Sequence, residues 1–108
     1  MDINKYTYQV SWSEEDQEFV ATVAEFPSLS WLDADRQQAE RGLLELVAEV
    51  AEDMEASGEA VPAPLGSRSY SGKFNVRTSP SLHRRLAIVA KTEGISLNAL
   101  VNQKLASV

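Results

Sequence analysis

The sequence predicts an α+β protein in two parts. A small antiparallel sheet carrying one helix comes first, and a short strand with two short helices follows. Three observations predict this. Short runs near the start alternate apolar and polar residues; a long helical stripe comes next; a Gly-, Pro- and Ser-rich stretch then separates it from two capped helical patterns. At 108 residues the chain is one ordinary domain or two very small ones.

In "KYTYQVSW", residues 5–12, the alternation puts Tyr6, Tyr8, Val10 and Trp12 on one strand face and Thr7, Gln9 and Ser11 on the other. The polar "SEEDQE" is a turn. "FVATVAEF" returns as a second strand, apolar enough for burial on much of both faces. Pro27 ends it, and "SLSWL" forms a third short strand. Asp35 is a good N-cap, with Gln38 at the capping-box spacing. The helix then runs to about Ser57, where Gly58 stops it. Its stripe is Ala39, Leu43, Leu46, Val47, Val50 and Met54, with Glu45, Glu49, Glu52 and Glu55 elsewhere. A helix on one face of three strands is a sufficient minimal core. "AVPAP" is expected as an added edge strand, where proline is tolerated.

Residues 56–72, "ASGEAVPAPLGSRSYSG", hold three of the five glycines and two of the four prolines. That composition marks a join. The expected division is residues 1–64, a linker at 65–72, and a second domain at 73–108.

In the second domain, Phe74 and Val76 point to one side of a strand, and Lys73, Asn75 and Arg77 to the other. Ser79 caps a helix with Pro80 at its first position. Leu82, Leu86, Val89 and Ala90 make its apolar face, and Gly94 closes it. Ser96 caps a second helix with Leu97, Leu100, Val101 and Leu105 on one face. A unit of about 35 residues is too small to stand alone, and its strand lacks a neighbour. A second copy supplies both needs, by pairing the strands into a ribbon over four helices. Phe74, Val76, Leu86, Val89, Leu100 and Leu105 are therefore the expected core of a homodimer.

Charge divides with the chain. Residues 1–66 carry fifteen Asp/Glu against three Lys/Arg, or −12; residues 67–108 carry seven Lys/Arg against Glu93, or +6. Such asymmetry hints at a nucleic-acid-facing half joined to a half that faces something else.

Catalysis finds little support. No cysteine is present, so thiolate metal sites and disulfides are excluded. Two-metal hydrolysis needs converging carboxylates, yet only Glu25 sits near a strand end. His83, the sole histidine, lies on the first turn of a short helix in a basic segment. No Gly-rich phosphate loop occurs. No catalytic residue, metal or cofactor is expected. "MDINKYTYQV" lacks the apolar region of a signal peptide, and no run reaches the roughly 20 apolar residues of a membrane span. A cytoplasmic protein with no membrane partner is expected.

Residues 73–106, with the "SLNAL" opening of the last helix, resemble the ribbon-helix-helix fold. The resemblance implies that the ribbon enters the major groove with Lys73, Asn75 and Arg77 on base edges. Arg and Lys can donate to guanine O6/N7, and Asn can pair with adenine. Backbone N–H groups at Ser96, Leu97 and Asn98 would hold a phosphate. "YQVSWSEEDQEFVATVAEFPSLS", the capped helix and "GEAVPAP" resemble the N-terminal domain of HicB-family antitoxins, a truncated RNase H-like fold. With the tail beginning "SGKFNVR", the resemblance spans nearly the whole chain. Departures are Ser28, where the family often has glycine, and "LDAD" (32–35) at the helix entry. The resemblance implies an antitoxin that masks a HicA-like mRNA-cleaving toxin with its first half. Its second half would bind operator DNA as a homodimer and repress its own operon, with assembly into higher oligomers left open. Two other readings stand beside it. One is a ribbon-helix-helix repressor with a ligand-sensing N-terminal domain, which a sizeable apolar pocket there would favour. The other is a degenerate RNase H-like nuclease.

Overall fold

Residues 2–108 are described by the structure, a computed structural model. Strands β1 (Tyr8–Ser13), β2 (Glu18–Val23) and β3 (Ser30–Asp33) precede helix α1 (Arg36–Ala56), and helices α2 (Pro80–Glu93) and α3 (Leu97–Leu105) follow. The fold is α+β. Two compact units divide it, one ending at Tyr70 and the other spanning Ser71–Val108.

The first unit is built on a hairpin. Tyr8 pairs with Val23, Val10 with Ala21 and Trp12 with Phe19, so the alternation of β1 meets that of β2 on one face. Its turn closes without glycine. Gln17 takes the left-handed conformation at φ 54°, and its side-chain amide donates to the Glu14 carbonyl at 2.7 Å. The Ser13 hydroxyl donates to Asp16 Oδ2 at 2.9 Å and accepts from the Asp16 N–H at 3.2 Å. β3 pairs antiparallel with β2, which makes β2 the central strand.

α1 lies across one face of this sheet. The Asp35 carboxylate accepts from the Gln38 N–H at 3.1 Å, the expected cap. Ala39, Leu43 and Val47 join Tyr6, Ala21, Val23 and Phe26 in the core, with Leu46, Val50 and Met54 packed at its margin. The stripe read from periodicity is the buried one, extended by Gly42 and Ala51. Gly42 has a tertiary reason, because a Cβ there would run into the Trp31 indole. At the far end Gly58 (φ 78°) donates to the Glu55 carbonyl and Glu59 to that of Met54, satisfying the last carbonyls.

"AVPAP" is not a strand. Pro62 and Pro64 lack the N–H groups a ladder needs, and the segment is held by side chains instead. Val61 packs on the core, and the Tyr6 hydroxyl donates to the Pro62 carbonyl at 2.6 Å. A short 3-10 turn, Leu65–Ser67, follows, and the Tyr70 hydroxyl donates to the Leu65 carbonyl.

In the second unit the Ser79 hydroxyl accepts from the Leu82 N–H at 3.2 Å, and Ser96 does the same for Ala99 at 3.0 Å. Gly94, at φ 72°, closes α2: it donates to the Lys91 carbonyl, and Ile95 donates to that of Ala90. Ala90 and Leu100 are the buried residues of the two helices. Residues 73–77, expected as a strand, form no strand in the single chain. The reason is physical: a strand needs a neighbour, and the other elements of this unit are helices.

Candidate nucleic-acid and partner interfaces

Gly72, at φ 83°, turns the chain into the segment 73–79, where the Lys73 N–H donates to the Ser71 hydroxyl at 3.0 Å. Lys73, Asn75 and Arg77 are all exposed. Phe74 and Val76 alternate with them and are also exposed, at 73% and 65%. Large apolar side chains this accessible on a short segment need cover.

The helices provide the adjoining apolar surface. Val76, Leu82, Leu86, Leu97, Val101 and Leu105 line an open groove of about 760 Å³, with Arg77, His83 and Lys104 among its other lining residues. Val89 and Leu105 are each more than a third exposed, and Leu86 is half-buried. Leu100 differs: at 1% exposure it is already enclosed in the single chain. His83 escaped the apolar reading, although it follows Leu82 on the helix and so borders the Leu82–Leu86–Ala90 stripe. Ile88, 54% exposed, stands off that stripe.

At the start of α3 the Ser96 carbonyl accepts from Leu100, and its hydroxyl from Ala99. Leu97 is half-buried and Asn98 exposed. The three residues expected at a phosphate thus form a regular capped helix start, whose partial positive charge favours an anion.

In the first unit the best-organised polar group is Glu25. One carboxylate oxygen accepts from the Thr7 N–H at 2.9 Å; the other accepts from the Leu65 N–H at 2.9 Å and from the Thr7 hydroxyl at 3.1 Å. Partial desolvation pushes its pKa up, but the hydrogen bonds from Leu65 and Thr7 outweigh this and leave it below the ordinary value. Tyr8 is pushed up to about 12 by burial, then by the charge on Glu25 and by Tyr6. Its hydroxyl stays protonated and donates to the Ile3 carbonyl at 2.7 Å. These contacts tie the N-terminal segment, the end of β2 and the exit of the unit together.

Among the described residues no three His, Cys, Asp or Glu side chains are grouped to hold a metal ion, and no helix is long and apolar enough to cross a membrane. A hollow of about 310 Å³ bounded by Thr7, Gln9, Thr22 and Pro27 lies in the first unit. It is at the small end of the ~300–1,000 Å³ range of ligand pockets.

Residues 56–105 match the family described as HicB family. The matched stretch runs from the end of α1 through the exit segment, residues 73–77 and both helices of the second unit. Over that stretch the chain is similar to this family. No curated protein and no solved structure gives a significant match to the chain.

Proposed function

We propose that this protein is the antitoxin of a HicAB-like toxin–antitoxin pair. Its first unit neutralises a small mRNA-cleaving toxin by direct binding, and its second represses the operon by binding operator DNA. The observation that carries this is the HicB-family match over residues 56–105. That stretch contains residues 73–77, in which Lys73, Asn75 and Arg77 alternate in sequence with the exposed Phe74 and Val76.

In a homodimer, two copies of residues 73–77 pair antiparallel, and the exposed Phe74 and Val76 close over the groove between α2 and α3. Lys73, Asn75 and Arg77 then form the outer face of the ribbon and read base edges in the major groove. The N–H groups at Ser96, Leu97 and Asn98 hold a backbone phosphate. Charge supports the same division of labour. Residues 1–70 hold fifteen acidic against four basic residues, and residues 71–108 hold six basic against one acidic. The first set repels nucleic acid and attracts a basic toxin; the second suits DNA. Proposed boundaries remain residues 1–64 and 73–108 with a join at 65–72, and the setting is the cytoplasm, where mRNA and operator meet.

Two assays test the halves. The purified chain is expected to stop RNA cleavage by the toxin encoded in the adjacent reading frame, and to shift DNA from its own promoter. Unchanged cleavage at stoichiometric excess would refute the first role. Equal affinity for promoter and random DNA would refute the second.

A further inference from the structure

One end of the sheet carries an aromatic cluster that the core does not absorb. Trp12 and Phe19 face each other across β1 and β2, with ring centroids 5.1 Å apart and nearly edge-to-face. Phe19 packs against the margin of the core, whereas Trp12 remains 46% exposed. The indole is held in place: its Nε1–H donates to Glu14 Oε2 at 2.7 Å. Arg36 lies over the Phe19 ring at 5.8 Å and donates to the Val10 carbonyl at 3.1 Å, so its charge is already engaged.

The surroundings are acidic. Glu14, Glu15 and Asp16 form the turn just beyond Trp12, Glu18 opens β2, and Asp33 stands opposite Phe19 on β3. A fixed, half-exposed indole at the centre of an acidic rim has the make-up of an interface anchor: rigid aromatic area with little entropy to lose, and a field that selects a cationic partner.

We propose that this end of the sheet, centred on Trp12, is the docking surface for the basic, RNA-gripping face of the toxin. The inference rests on the antitoxin reading and adds the place of contact. Charge complementarity commits the occupant. A protein that holds RNA must present Lys or Arg to phosphates, and a guanidinium or ammonium can stack on Trp12 while pairing with the rim carboxylates. Docking there covers the cations that RNA needs, so binding and neutralisation become one event. The acidic outer surface of α1, around Glu45, Glu49 and Glu52, contributes steering only.

The probe is the purified toxin from the adjacent reading frame, titrated against the full chain near physiological salt. Trp12→Ala, checked for an unchanged melting profile, is expected to weaken binding about 30-fold, the scale of an interface hot spot. Changing Glu45, Glu49 and Glu52 together to Gln should weaken it no more than about threefold. A readout that keeps Trp12 uses fluorotryptophan. The chain's two tryptophans give two fluorine signals, assigned with Trp31→Phe, and unlabelled toxin should shift the Trp12 signal and abolish its solvent isotope shift. Wild-type binding with an unmoved Trp12 signal and a Trp12→Ala affinity within threefold would overturn the proposal while leaving the antitoxin reading intact. Tight binding of wild type to a second copy of itself through this face, with loss on Trp12→Ala, would overturn it in favour of self-association. Absence of any toxin binding by the wild type would overturn the antitoxin reading and the proposal together.

Discussion

Glu25 shows how one side chain can organise the exit of a unit. Its carboxylate holds Thr7 and Leu65, which are far apart in sequence. Because its pKa is depressed in the folded chain, the latch is complete above the ordinary carboxylate value. It weakens as pH falls through the depressed one. Glu25→Gln is therefore expected to lower the melting temperature at pH 7. The gap to wild type should close towards pH 3, and melting curves across that range check it. Gly42 is the second informative position. An added methyl would meet the Trp31 ring, so Gly42→Ala should destabilise by about 1–3 kcal/mol despite its better helix propensity. Denaturant titration measures this, and a stabilised variant would contradict the packing.

At the scale of elements, what the sequence makes legible is what short-range chemistry decides. Asp35, Ser79 and Ser96 cap as their spacing predicts, because a cap is satisfied within three residues. Gly94 closes α2 for the same reason, and Gly94→Ala should cost about 1–2 kcal/mol by forcing an L-residue to positive φ; thermal melts would show it. Contacts made across the fold were harder to read. The pairing of Gly42 with Trp31 and the bonds from Tyr6 and Glu25 to residues 62–65 depend on tertiary position. "AVPAP" reads as an edge strand because proline is tolerated at edges, yet nothing local reveals that side chains hold it instead. The alternation of residues 73–77 is genuine, but period alone does not supply the neighbour a strand requires. Among the expected site residues, Lys73, Asn75 and Arg77 share exposure, while Leu100 is already buried in the single chain. Leu100→Glu would thus disrupt the α2–α3 packing itself, and Phe74 and Val76 are the better reporters of association.

For the whole molecule, the exposed Phe74 and Val76 and the open groove beside them argue for a second copy. Phe74→Ser should leave the first unit folded and shift the protein towards monomer in light scattering; an unchanged mass would count against ribbon pairing. On promoter DNA, Arg77→Ala should cost roughly 1–3 kcal/mol and relax preference at one base position. Arg85→Ala, if that side chain touches only phosphate, should instead weaken all DNA alike and flatten the salt slope. Behind both stands the antitoxin assignment, and a growth assay tests it most directly. Cells induced for the toxin of the adjacent reading frame should stop growing, and co-expression of this chain should restore growth with a stable toxin complex recoverable from them. Arrest that persists while the chain is abundant and folded would contradict the assignment.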